Sequence, residues 1–209
     1  MNDAKAALWR DPHPLVLAST SPTRRALLES AALPFAARAP AVDERALEME
    51  MARRGASPED ISLALAGAKA ASVAVEQRHS IVIGSDQVLA LEERRFNKPA
   101  SRTELAEQIA ALAGRTHRLH SAVAMMRGDD VLAAFVASAS LTMRALSPSE
   151  IELYCDLAGD GALESVGGYR LEGVGVHLFT AVEGEHSTVL GLPLSPLLAH
   201  LRALGALAF

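Results

Sequence analysis

A chain of 209 residues with formal charge −5, half of it apolar but only 4% aromatic, is long enough to bury a real core. It has no dense basic block and few rings to stack on bases, which argues against binding long nucleic acid. No apolar run approaches the roughly 18 residues that cross a bilayer, so no membrane association is expected. The single cysteine, Cys155, excludes an internal disulfide or a cysteine-based zinc cluster and fits a reducing compartment. The opening residues lack the apolar core of a signal peptide. The expectation is a cytoplasmic protein with a flexible lead-in over residues 1–13 and one domain over 14–209.

Leu15-Val16-Leu17-Ala18 has the length and composition of a buried strand. Ser19, Thr20 and Ser21 follow, with Pro22 in a first helical turn, and Ala26, Leu27, Leu28 and Ala31 continue an amphipathic helix. A strand that passes through hydroxyls into a helix N-terminus gathers unpaired N–H groups at the positive end of the dipole. Arg24 and Arg25 add guanidinium groups, which match phosphate oxygens. An ordinary capped helix with two solvated arginines fits the same residues, and both readings stand at this point.

A short segment then runs through Arg38 and Ala39 to Asp43 and Glu44. Ser57-Pro58-Glu59-Asp60 starts a helix to about Glu76, with an apolar stripe at Ile61, Leu65, Ala68, Ser72 and Val75 and with Lys69 at its edge. Ser80 to Leu91 is the second β signal: Ile81-Val82-Ile83 reads as a buried strand, Gly84 permits close backbone approach, and Asp86 follows before apolar character resumes at Val88 and Leu89. Glu92 to Arg95 forms a hairpin tip, and Ser101 caps a helix that Gly114 closes. Thr116–Met126 and Val131–Met143 form an antiparallel hairpin, and Ser147-Pro148 caps a helix to about Leu157. Residues 159–175 form a glycine-rich loop, 176–182 alternate as a strand, 188–190 resume one, and 193–207 end the chain as a helix. The pattern is α/β with mixed strand directions.

Asp86 is the strongest chemical candidate, because a carboxylate beside a buried run must be paired, coordinated or facing a cleft; a turn residue capping Val88 is the alternative. Asp43 and Glu44 are either a solvated loop or, facing Asp86, a hard-oxygen site suited to Mg²⁺ or Mn²⁺. Lys69 and Lys98 are surface lysines unless they border a cleft, and Pro99 holds Lys98 in an extended backbone. The spacing of His117 and His120 would put them on opposite strand faces, and none of the seven histidines shows the zinc spacing of metalloproteases. Cys155 has no base beside it in sequence, and Ser19 and Ser21 sit in no nucleophile elbow. Cations for phosphates, carboxylates for a metal and no covalent nucleophile favour metal-assisted attack by water on a phosphate ester or anhydride.

From about Leu15 to Leu204 the chain resembles the Maf family of nucleoside triphosphate pyrophosphatases. The resemblance rests on an ordered set: Ser19-Thr20-Ser21-Pro22 with Arg24-Arg25, Val42-Asp43-Glu44, Lys69-Ala70, Gly84-Ser85-Asp86-Gln87, Lys98-Pro99, Gly114-Arg115-Thr116-His117, Gly167-Gly168-Tyr169 and Gly191-Leu192-Pro193. It implies a two-lobed, ITPase-like α/β fold, with a mixed twisted sheet flanked by helices and an active-site cleft between lobes. The implied reaction hydrolyses a nucleoside triphosphate to monophosphate and pyrophosphate with a divalent cation, Mg²⁺ or Mn²⁺. By matching motif, Asp86 is the proton acceptor and, with Glu44, a metal ligand; Ser19, Arg24, Lys69 and Lys98 bind the phosphates.

Thr23, Gln87 and Glu172 fall where family subgroups differ around the base. The resemblance implies tryptophan, glutamine and glutamate there for 7-methyl-GTP, and arginine, threonine and glutamine for dTTP and UTP. Gln87 and Glu172 match the first set, and Thr23 departs from its tryptophan. N7-methylation makes guanine cationic, so a carboxylate at Glu172 suits it. The expectation is a 7-methyl-GTP pyrophosphatase acting on a small nucleotide, with a homodimer possible. The dTTP/UTP activity and a non-catalytic nucleotide-binding regulator of septum formation are the alternatives.

Overall fold

Four consecutive buried side chains make Leu15–Ala18 (β1) an interior strand, covered on both faces. In the computed structural model, which describes residues 8–209, β1 pairs in parallel with β2 (Phe35–Arg38) and with β3 (Val82–Leu91). With β4 (Arg94–Phe96), β5 (Thr116–Arg127), β6 (Asp130–Met143) and β7 (Phe179–Glu183) they form a seven-stranded mixed sheet, ordered β2-β1-β3-β5-β6-β7 with β4 on β3. The helices described are α1 (Pro22–Ser30), α2 (Glu44–Arg53), α3 (Pro58–Ala74), α4 (Arg102–Leu112), α5 (Pro148–Ala158), α6 (His186–Val189) and α7 (Leu194–Ala203). The α/β class with mixed strand directions is as expected from the sequence. The stretch expected as one domain divides into two compact units.

The first unit comprises residues 8–86, Ser121–Ala137 and Glu185–Phe209. The two-residue period of β1 sends Leu15 and Leu17 into a cluster with Leu28 of α1, Ile83, Met125 and Leu197 and Leu201 of α7. Val16 and Ala18 face the other way, onto Val73 and Ala74 of α3. Ser57, Pro58 and Asp60 start α3 with a full capping box. The buried face of α3 is Ile61, Ser62, Leu65, Ala66, Lys69, Ala70, Val73 and Ala74: Ile61 and Leu65 are buried as expected, but beyond them the face turns away from the expected stripe, and Val75 is 54% exposed. Gly84 explains the turn: a Cβ there would lie 2.1 Å from the Ala66 carbonyl oxygen and 2.5 Å from the Ala70 nitrogen. Small residues on both elements let helix backbone meet strand backbone, and this carries Lys69 inward.

Other expectations are corrected here. Residues 44–53 form a helix capped by Asp43, whose side chain accepts from the Ala46 N–H. Strand β3 runs unbroken from Val82 through Asp86 to Leu91, within the stretch expected from the sequence. Residues 186–189 form a helical turn instead of resuming a strand, and the last helix stops at Ala203, before Gly205. Part of the expected lead-in is tied down: Trp9 bridges Leu207, Arg10 donates to the Ala206 carbonyl, and Asp11 pairs with Arg127. Residues 1–7 of that lead-in lie outside the described residues.

The second unit comprises Gln87–His120 and Ser138–Gly184. It holds the β3–β4 hairpin, α4, α5 and the antiparallel β6–β7 pair. Short 3₁₀ turns span Gly159–Glu164, Val166–Gly168 and Val174–Leu178, so the last strand begins at Phe179 and not at Val176. Among the described residues, no helix is long and apolar enough to cross a membrane.

The backbone approach at Gly84 is testable. Gly84→Ala should destabilise the protein by about 1–3 kcal/mol, the usual range for overpacking, read as a lower urea midpoint at unchanged slope; an unchanged midpoint would contradict it.

Candidate active site

Within the first unit, four elements bring five of the expected site residues together. Lys69, on the buried face of α3, places its ammonium 2.6 Å from Asp86 Oδ1 and 2.7 Å from Glu44 Oε2. Asp86 is central in β3 and 7% exposed, and Lys69 is 6% exposed. Glu44, in the first turn of α2, is half exposed. An ammonium has three protons to give, and two are committed here. Arg24, in the first turn of α1, donates from Nε to the Gly191 carbonyl and from Nη1 to the Ser85 carbonyl, both at 2.9 Å, with Ser19 Oγ 3.5 Å from Nη1. Ser19 Oγ also accepts from the Ser21 N–H, and Ser21 caps α1 by accepting from the Arg24 N–H. Arg25 is exposed, so one guanidinium and not two is drawn in.

Burial pushes the Asp86 carboxyl above its ordinary range, against the downward pull of Lys69 and Arg24, while Glu44 adds to the rise. Burial also works against the Arg24 charge, which Asp86 and Glu44 support, and a guanidinium keeps its proton regardless. The result is a carboxylate more basic than a solvated one, hydrogen-bonded through Oδ1.

Glu44 and Asp86 each give one oxygen to the Lys69 ammonium and keep a second oxygen. Among the described residues, no group of three or more His, Cys, Asp or Glu side chains is placed to hold a metal ion. Two hard carboxylates fit a Mg²⁺ or Mn²⁺ ion that takes its other ligands from water and substrate phosphates. Asp43, the other acidic residue of that pair, is used as a helix cap.

The remaining expected residues lie on other elements. Thr23 is on α1 in the first unit, partly buried. Gln87, Lys98 and Glu172 belong to the second unit. Gln87 follows Asp86 in β3; Lys98 is exposed between Asn97, whose carbonyl accepts from Gln108 Nε2, and buried Pro99. Glu172 is exposed on the glycine-rich loop, beside a cavity of 330 Å³ whose lining includes Tyr154, Leu157, Ala162, Arg170 and Val174. A ring cluster backs this loop: His117 Nε2 lies 2.6 Å from the Tyr169 hydroxyl, and Phe179 packs on both rings. Burial holds His117 down at about 4, so the imidazole is neutral at neutral pH. Residue-by-residue reading had given no role to Ser85 or Gly191, whose carbonyls orient Arg24; backbone acceptors leave no side-chain signature, and only the glycine itself is a hint.

The family model described as Maf-like protein matches residues 14–204. A 7-methyl-GTP pyrophosphatase of Rhizobium meliloti (strain 1021) is 50% identical over 193 residues, covering 92% of this chain and 97% of that protein. A nucleoside triphosphate pyrophosphatase of Rhodopseudomonas palustris (strain BisB5) is 51% identical over 196 residues, covering 94% and 96%. Among solved structures, a nucleoside-triphosphatase / dITP/XTP pyrophosphatase of Mycobacterium abscessus is similar over 64% of this chain and 76% of that one, with a TM-score of 0.35 and 16% identity.

The buried ion pair has its own consequence. Lys69→Met strands Asp86 and should cost about 3–5 kcal/mol at pH 8. Without its partner Asp86 holds a proton more strongly when folded than when unfolded, so the deficit should shrink as pH falls towards 5. Urea melts at the two pH values check this; a deficit independent of pH would contradict it.

Proposed function

Since the chain belongs to the Maf family, we propose that it hydrolyses a nucleoside triphosphate to the monophosphate and pyrophosphate, using the cluster around Lys69. The observation that carries this reading is the convergence of Lys69, Glu44 and Asp86, with Arg24 coupled to both carboxylates. Asp86 takes a proton from water through Oδ2, the oxygen not bonded to Lys69. The water oxygen bonds to the α-phosphorus, the bridging oxygen leaves with pyrophosphate, and the proton passes from Asp86 to solvent. Lys69 keeps one proton for a phosphate oxygen, and Arg24 offers Nη2, which has no hydrogen bond among the described residues. The Maf motif assigns Ser19 and Lys98 to the phosphates as well.

Two cations and two carboxylates balance formally in the cluster, so a triphosphate needs further positive charge. Glu44 and Asp86 would hold a divalent cation together with the phosphates. Bound there, Mg²⁺ or Mn²⁺ would neutralise charge that develops on the transferred phosphoryl group.

For the base, 7-methyl-GTP is the substrate best supported. Gln87 and Glu172 match that subgroup, the Rhizobium meliloti relative bears that activity in its name, and a carboxylate suits a cationic purine. Thr23 favours a second reading, a pyrophosphatase acting on dTTP or UTP, because it lacks a ring to stack on the cation. A nucleotide-binding regulator without turnover would have no use for a water-activating group.

Pyrophosphate release from 7-methyl-GTP, GTP, dTTP and UTP, with Mg²⁺ or Mn²⁺, separates these readings. The methylated nucleotide should give the highest kcat/KM. Preference for dTTP or UTP would support the second reading, and no release from any would overturn the activity. Asp86→Asn should lower kcat by about 10²–10⁴, the range for a lost general base, with the fold retained by circular dichroism; turnover at the wild-type rate would contradict the role of Asp86. Thr23→Trp should raise kcat/KM for 7-methyl-GTP several-fold, consistent with about 0.5–2 kcal/mol from a cation–π contact. A fall there with pyrimidine hydrolysis intact would count against the subgroup assignment.

A further inference from the structure

Ser85 is fully buried in β3, between the backbone approach at Gly84 and the carboxylate of Asp86. Its hydroxyl donates to the Gly191 carbonyl at 2.8 Å, the same oxygen that accepts from Arg24 Nε at 2.9 Å. Its own carbonyl accepts from Arg24 Nη1. One residue thus supplies an acceptor for the guanidinium and secures the other acceptor. A carbonyl oxygen has two lone pairs, and at Gly191 the two donors use both.

The Gly191 end is equally constrained. Gly191 has φ +88°, in the left-handed region that favours glycine. Its N–H donates to the Thr188 carbonyl, and the Leu192 N–H to the Ser187 carbonyl. The Thr188 carbonyl in turn accepts from Ser121 Oγ on β5 at 2.7 Å. Hydroxyls on two strands of the sheet therefore hold this turn, 167 residues from Arg24, where one edge of the guanidinium needs an acceptor.

We infer that Ser85 is a positioning residue for phosphate binding: through Gly191 it fixes which edge of Arg24 is spent on protein and which donor is kept for the anion. The inference rests on the reading of Arg24 as a phosphate ligand. Removing the hydroxyl leaves the Gly191 carbonyl one donor short, and the guanidinium loses the rigidity that bidentate recognition requires.

Calorimetric titration of the full chain with Mg²⁺-tripolyphosphate reads the phosphate contact apart from base recognition and chemistry. Arg24→Ala should weaken binding at least tenfold and Ser85→Ala about fivefold, the scale of one lost hydrogen bond. The double variant should bind no more weakly than Arg24→Ala alone, because Ser85 acts through the guanidinium. Full Ser85→Ala weakening in the Arg24→Ala background, or none in the native background, would overturn the inference while leaving the phosphate reading intact. If Arg24→Ala binds tripolyphosphate like wild type, the phosphate reading falls and this inference with it. Should Ser85→Ala melt below the titration temperature, Ser85→Cys replaces it: a smaller weakening, absent in the Arg24→Ala background, supports the inference, and an additive one overturns it.

Discussion

One ammonium, that of Lys69, is held away from water between Asp86 and Glu44, and the arrangement around it follows from that constraint. A buried cation is tolerable only beside paired charge, and a buried pair adds little net stability once desolvation is counted. The pair is therefore better explained by chemistry than by stability. It depends on Gly84 and on Ala66 and Ala70 of α3, because only a close approach of helix and strand lets a side chain rooted on the helix meet Asp86. Small residues at this crossing and the carboxylate two positions further along β3 form one structural requirement.

Arg24 is placed by a different means. Its helix begins straight after β1, capped by Ser21, so the side chain starts close to the sheet. Two backbone carbonyls, one from β3 and one from the turn at Gly191, then hold the guanidinium. The carbonyls orient the guanidinium without pairing its charge directly, while Asp86 and Glu44 support that charge from nearby. Lys69 is instead paired directly with carboxylates, and it holds the Asp86 carboxyl lower than burial alone would leave it. Fixed charge of this kind needs no rearrangement as the transition state forms, the usual source of large rate effects in enclosed sites.

Much of this was legible in the sequence, and the limits have physical causes. The caps at Ser21, Ser57 and Ser147 are local, so the start of each helix is visible in a few residues. The first half of the buried face of α3, Ile61 and Leu65, is legible from periodicity; the second half is not, because periodicity weighs large apolar side chains and here alanines set the contact. The helix at Glu44–Arg53 has no fully buried residue and so shows no apolar stripe. That Asp86 must be paired, coordinated or facing a cleft is legible from the apolar run around it, but its partner lies 17 residues earlier and is not. The Gly191 carbonyl, a backbone acceptor 167 residues from Arg24, has no local signal at all. The motif set named Ser19, Arg24, Glu44, Lys69 and Asp86, and the geometry shows how these five hold one another.

The account reduces to where water attacks. Hydrolysis of 7-methyl-GTP in ¹⁸O-labelled water, with mass analysis of both products, reads this directly. Attack on the α-phosphorus puts the label in the nucleoside monophosphate and leaves pyrophosphate unlabelled, which is the result expected. Label in the pyrophosphate would place the attack on the β-phosphorus and contradict the role assigned to Asp86 and its neighbours.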